Sequence, residues 1–254
     1  MSMQTTDPIA DLLTRIRNAK MVGKTEVALY GLAYSIGMLV QLFISGMNSA
    51  LTPWMYSKIK KGDIRSMRKV LQLLSVVVVG IAVALMLISP ELVLIFGSPK
   101  YREAVYVIPP VAASVFFIFI YNILSMPQFY YEKTQFLMAA SMAAAGANVV
   151  LNFIFIRLFG YIAAGYTTLA CYMLYSVGHY IVSKRILVNE GIQENLMNPG
   201  FLLACSVFLI GASIICNLIF PYRILRYAIL LASAGLVFWK KELLLKTMAD
   251  IRKK

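Results

Sequence analysis

The sequence predicts an all-α fold, a polytopic membrane bundle of about seven transmembrane helices preceded by a short soluble helix. Three observations lead there. Hydrophobic residues make up 60% of the 254 and charged residues only 14%, where a soluble domain carries roughly 25% charge. The mean hydropathy is +0.76, more than one soluble core of this size can hide. The apolar residues also gather into long blocks separated by short polar joints.

Seven of these blocks are long enough for a membrane helix, which needs about 20 apolar residues. They run near 27–56, 70–96, 104–125, 134–156, 161–183, 201–220 and 224–239, and the last can extend to about Lys246. Backbone groups in hydrocarbon must find partners within their own segment, so runs of this length are helices. The two-residue alternation of a barrel strand is absent.

Basic residues set the orientation. The stretch KIKKGDIRSMRK at 58–69 holds six of the 24 Lys and Arg, and six more follow Trp239. Such clusters beside spans mark the cytoplasmic side. With 58–69 cytoplasmic, Lys133, Lys184, Arg185 and the C-terminus fall on that side too. Lys100, Arg102, Arg157, Arg223 and Arg226 fall outside. Arg15, Arg17, Lys20 and Lys24 then also lie outside, against the rule. The +13 charge is thus spread over joints rather than gathered on one face. Membrane lipid, and not nucleic acid, is the partner this implies for the body of the chain.

Trp54, Tyr56, Tyr101, Tyr106, Tyr130, Tyr131, Tyr161 and Trp239 sit near block ends, where amphipathic rings favour the headgroup level. Ala139, Ala143 and Ala147 repeat every fourth residue in the fourth block. Small residues at that spacing let helices approach closely, so this face is expected to pack on a neighbour. Pro109 and Pro110 lie inside the third block and Pro127 follows it. All three are kink or hinge candidates, because proline removes a backbone donor and bends a helix.

No catalytic constellation is visible, so an enzyme is not expected. The carboxylates lie in joints or at block ends, as Glu91, Glu103 and Glu132 do. There is no glycine-rich phosphate loop and no paired nucleophile and base. Cys171, Cys205 and Cys216 are scattered through apolar blocks without metal-ligand spacing, which predicts no metal, no disulfide and no cofactor. The one histidine, His179, is expected near a helix end at the interface. Tyr30, Tyr34, Asn48, Asn122, Gln128 and Asn152 are the polar groups within spans. Such groups face a bundle interior or a water-filled path, which makes them substrate-path candidates, with helix–helix hydrogen bonding the alternative.

Three ordered segments carry a family resemblance: ALYGLAYSIGMLVQLFISGMNSALTPWMYSKIKKGDI, PELVLIFGSPKYREAVYVIP and NVVLNFIFIRLFGYIAAGYTTLACY. Within them Asn48, Pro53, Gly62, Asp63, Asn152, Gly160, Ala164, Thr167 and Thr168 match the pattern. From about Ala28 to residue 245 the chain resembles flippases for O-antigen and capsule units, in the multidrug/oligosaccharidyl-lipid/polysaccharide exporter superfamily. The resemblance implies a polysaccharide-biosynthesis membrane protein of the bacterial cytoplasmic (inner) membrane. It implies alternating access for a lipid-linked oligosaccharide on undecaprenyl pyrophosphate, with no bond broken. The seven spans correspond to the C-terminal lobe of a MATE-like exporter. Transport then calls for a missing N-terminal lobe or a second copy.

The opening differs. In TDPIADLLTRIRNAK, Asp7 caps, Pro8 fits the first turn, and Ile9, Leu12, Leu13 and Ile16 share a face. The run DPIADLLTRIRNA resembles the start of bacterial small-subunit ribosomal protein eight, and the likeness continues to about Val27. This divides the chain into a ribosomal-protein-like leader, 1–27, and a transmembrane bundle, 28–254. The alternatives it raises are rRNA binding through the leader, or a chimeric product without function.

Overall fold

A computed structural model describes residues 24–97 and 99–239 of the chain. They form α1 (Lys24–Lys60), α2 (Ile64–Phe96), α3 (Ile108–Tyr130), α4 (Gln135–Phe159), α5 (Ala163–Asn189), α6 (Pro199–Ile219) and α7 (Arg223–Trp239). A 3-10 helix, Pro99–Tyr106, leads from α2 into α3, and no strand occurs among the described residues. Each apolar block of the sequence is one helix. The leader helix and the C-terminal basic cluster lie outside the described residues. α1 begins at Lys24 and so runs across the boundary expected after residue 27.

Among the described residues five helices, α1, α2, α3 with its lead-in, α4 and α6, are long and apolar enough to cross a membrane. α7 has 17 residues and α5 has 27. The apolar character of α5 is diluted by a polar stripe described below.

α3 is the centre of the bundle. From Ile108 to Gln128 every residue but Asn122 is buried. α1, α2, α5 and α6 all pack on it, while α4 leans on α5 and α7 leans on α2 and α6. Lipid tails are as apolar as leucine, so close van der Waals fit rather than water exclusion holds such helices together. Two glycines make that fit possible. A methyl group at Gly37 of α1 would sit 2.6 Å from Val111 Cγ1, and one at Gly165 of α5 would sit 2.8 Å from Pro110 Cγ.

The prolines are used in different ways. Pro109 and Pro110 open α3 instead of interrupting it. A proline in the first turn removes a donor that would be unpaired anyway, so the expected bend at this pair is not what the fold makes of them. Pro127 lies in the last turn of α3. Pro127, Pro53 of α1 and Pro90 of α2 are the prolines inside helices among the described residues.

Joints are closed by local chemistry. Asp63 caps α2 by accepting from the Ser66 amide at 3.3 Å, and its other oxygen accepts from Lys58. The Lys58 ammonium holds the Asp63 carboxyl down to about 2. Asn198 caps α6 by accepting from the Gly200 amide at 2.9 Å, with Pro199 as its first residue. At that same end of the bundle Glu194 accepts from Arg65 and Arg68, and Glu190 accepts from Lys133 at 2.8 Å.

The opposite end is held by Arg226, which the sequence placed among solvated joint cations. It is 1% exposed. Its guanidinium donates to both Glu91 oxygens, at 2.8 and 2.9 Å, and to the Leu87 carbonyl at 2.6 Å. Pro90 has no N–H, so the Met86 carbonyl one turn back lacks its helical donor, and the Ser89 hydroxyl takes it at 2.8 Å. Arg226 reaches the neighbouring Leu87 carbonyl. Tyr227 adds a fourth bond, donating to Glu91 at 2.8 Å.

Removing one member of a buried pair strands the other, at a cost of about 3 kcal/mol. Arg226→Ala is therefore expected to lower thermal stability in detergent by that amount. Arg226→Lys is expected to recover only part of it, since an ammonium cannot fork between a carboxylate and a carbonyl. An unchanged melting temperature for Arg226→Ala would contradict the role given to this pair.

Candidate functional site

α5 carries Thr168, Tyr172, Tyr175, Ser176, His179 and Ser183, spaced by three and four residues. They therefore lie along one face of the helix. Hydrocarbon offers polar groups no partner, so such a face must turn inward. Thr168, Ser176, His179 and Ser183 are buried, whereas Leu174, Val177 and Ile181 on the other side are exposed. His179 is not the interfacial helix-end residue the sequence suggested. It is completely buried, because its stripe is pressed against α3 and α4.

The seam has three parts. Toward the start of α5, the Tyr30 hydroxyl of α1 lies 3.2 Å from Thr168 Oγ1, with the Tyr34 ring 6.0 Å from that of Tyr30. Thr167 beside it donates to Asn152 Oδ1 at 2.6 Å, and Asn152 donates to Asn148 Oδ1 at 2.8 Å. This ties α1, α4 and α5 together. In the middle, Ser176 Oγ lies within hydrogen-bond reach of the Phe117 carbonyl of α3, at 3.0 Å. Tyr121 stacks on Tyr172 and meets the edge of Tyr175, whose hydroxyl is 2.8 Å from Ser141 of α4. Nearer the end of α3, Gln128 donates to His179 Nδ1 at 2.8 Å.

Of the six residues singled out from the sequence, Tyr30, Tyr34, Gln128 and Asn152 belong to this seam. Asn122 does not: half-buried, it donates to the Ile118 carbonyl of its own helix at 2.8 Å. Asn48 is buried on α1, and its Nδ2 has no partner among the described residues. The seam's own partners on α5, Tyr172, Tyr175, Ser176 and His179, were missed. The signal was present as polar residues recurring at three and four within the fifth block, hidden by the block's mean hydropathy.

Chemically the seam is neutral, hydroxyl-rich and aromatic. Among the described residues no three His, Cys, Asp or Glu side chains gather in a metal-holding group, and the three cysteines are free thiols. Ionised acids stay at the helix ends. There, Tyr161 in the α4–α5 joint lies 3.4 Å from a Glu103 oxygen. Burial, with the Glu103 charge beside it, pushes the Tyr161 phenol up to about 12.

This all-helical bundle with a polar interior has a family match. The model named MatE matches residues 10–154, from the leader through α1, α2 and α3 and into α4. The chain belongs to the MatE family. It is thus a multi-pass membrane protein of the exporter type. A second likeness is short. Over 29 residues the chain is 76% identical to small ribosomal subunit protein uS8 of Teredinibacter turnerae, covering 11% of this chain and 21% of that protein. The MatE chain therefore spans only about a fifth of the ribosomal protein it matches. No solved structure matches it.

The Tyr30–Thr168 bond is the seam's tie between α1 and α5. A double-mutant cycle of Tyr30→Phe with Thr168→Val is expected to give a coupling of about 0.6 kcal/mol, as for other hydrogen bonds between membrane helices. Strictly additive losses would show that the two hydroxyls do not interact.

Proposed function

We propose that the chain forms one lobe of a transporter for undecaprenyl-pyrophosphate-linked oligosaccharide in the bacterial cytoplasmic membrane. Alternating access needs two units rocking about a shared site. In this reading a second lobe, from another chain or a second copy, supplies the other half.

The observation that carries it is α1. Ser35, Leu39, Leu42, Gly46, Ser49 and Pro53 recur at three and four residues and are all exposed. Ser35 and Ser49 return their hydroxyl protons to carbonyls one turn back, leaving oxygen lone pairs outward. Pro53 breaks the backbone bonding beside the unpartnered Asn48 amide. A proline-interrupted helix with a small, hydroxylated outer face is what a site for sugars between lobes requires. Tyr30 and Tyr34, buried on the other side of the same helix, support that wall from behind, and Gln128 and Asn152 belong to the seam on α5. On α4, Ala139, Ala143 and Gly146 are exposed as well, with the small-residue face turned away from this bundle. That face suits contact with another helix.

The ends of the bundle support the topology. Arg65, Arg68 and Lys133 pair with Glu190 and Glu194 at one end, and Arg226 with Glu91 at the other. Basic residues are denser at the first end, which we place in the cytoplasm together with the C-terminus.

A second reading is favoured by the uS8 likeness alone: residues 1–27 form a leader of separate origin that binds rRNA, or a join with no role. Recovery of the full chain in salt-washed ribosomes, without detergent, would support rRNA binding and sink the transporter.

The direct test reconstitutes the full chain in proteoliposomes with a fluorescent lipid-linked oligosaccharide. As a monomer it is expected to move none above background. Co-reconstituted with a second lobe it is expected to move the lipid, and Asn48→Leu to lower that rate on the order of tenfold. Full-rate transfer by a monomeric chain, or transfer of an unrelated cationic drug in place of the glycolipid, would overturn the reading.

A further inference from the structure

Three buried polar atoms on the facing sides of α3 and α5 have no partner among the described residues: Gln128 Oε1, His179 Nε2 and Ser183 Oγ. Gln128 and His179 are 0% exposed and Ser183 is 1% exposed. Ser183 lies one turn beyond His179 on the same face of α5. Polar atoms this deep are nearly always satisfied, by protein or by ordered water.

The bonds that do exist define the protonation. Gln128 Nε2 lies 2.8 Å from His179 Nδ1 and 3.4 Å from the Leu124 carbonyl. A carbonyl only accepts, so the Gln128 group facing it is the amide nitrogen. That nitrogen also donates to Nδ1, which must then be the lone-pair nitrogen of the ring. The imidazole proton sits on Nε2. The Leu124 carbonyl, one turn before Gln128 on α3, has a second lone pair for this bond.

The rest of the pocket is aromatic. Tyr175 and Phe136 meet the imidazole edge-on, at 4.5 and 5.4 Å, and Tyr121 lies tilted at 5.9 Å. Gly178 admits the Phe136 ring, whose Cζ would lie 3.3 Å from a methyl group there. The titratable neighbours of the ring are the phenols of Tyr121 from α3 and Tyr175 from α5. Among the described residues no ion pair reaches His179. An imidazolium would have no counter-charge here, so the ring stays neutral.

The unpaired set is one N–H donor, one carbonyl acceptor and one hydroxyl that does both. That is the complement of water, which makes about three hydrogen bonds when buried in a protein. We propose that Gln128, His179 and Ser183 form an internal hydration site between α3, α4 and α5, with His179 neutral and donating from Nε2 to the bound water. The site gives the polar stripe of α5 its missing partners where side chains cannot reach one another. It is independent of the transport reading and stands or falls on the seam itself.

The chain has a single histidine, so the full-length protein labelled with 15N-histidine gives one imidazole spin system. Solid-state NMR in lipid bilayers is expected to show the neutral Nε2–H tautomer at pH 7, with magnetisation transfer from that proton to water. An Nδ1–H tautomer, an imidazolium, or an Nε2–H without water transfer would each overturn the proposal. Gln128→Leu removes the group that selects the tautomer and is expected to yield a mixture of both. An unchanged single Nε2–H tautomer in that variant would contradict the assigned role of Gln128.

Discussion

The bundle is governed by one constraint: the polar stripe of α5 must be sealed from lipid. An apolar helix is indifferent to rotation in hydrocarbon, because its surface and the lipid tails are alike. A helix with hydroxyls, phenols and an imidazole along one side is not. Burying that side fixes the rotation of α5, and the partners it needs fix α3 and α4 against it. Ser176 finds a carbonyl of α3, Tyr175 a hydroxyl of α4, and Thr168 the phenol of α1. α3, apolar and enclosed, is the surface on which these registers are set.

The helix ends carry the charge that the middle excludes. The paired joints are all between segments that alternation of the chain places on one side, as Lys133 and Glu190 are. Arg226 goes further, since its fork reaches the Leu87 carbonyl as well as the Glu91 carboxylate. That carbonyl and carboxylate of α2 are the docking point of α7. Near the end of α3, Gln128 takes the Leu124 carbonyl and holds His179 in turn.

The helices were legible because their signal is a mean over some twenty residues. The block at 70–96 ends where α2 ends, and the block at 224–239 starts within a residue of α7. The fifth block was legible as a helix, but its polar stripe keeps α5 out of the five helices apolar enough to cross a membrane. What could not be seen were pairings between distant segments. Arg226 looks like any joint cation until Glu91 and Leu87 stand opposite it. His179 looks interfacial by position, yet α3 and α4 enclose it. Ala139, Ala143 and Ala147 have the spacing of a packing face, but Ala139 and Ala143 are exposed and Ala147 is only half-buried. Pro109 and Pro110 counted as interior only because the lead-in 3-10 helix reads as part of the same apolar run. Of the path candidates, four of the named residues joined one seam, while Asn122 bonded to its own helix.

The orientation of α5 is the claim on which the rest depends, and spin labelling tests it most directly. Single labels placed along α5 from Thr168 to Ser183, in the full chain in bilayers, report collision with lipid-dissolved oxygen. The account predicts a 3.6-residue period with maxima at Leu174, Val177 and Ile181 and minima at Tyr172, Ser176 and His179. Uniform exposure, or maxima at the polar positions, would contradict it.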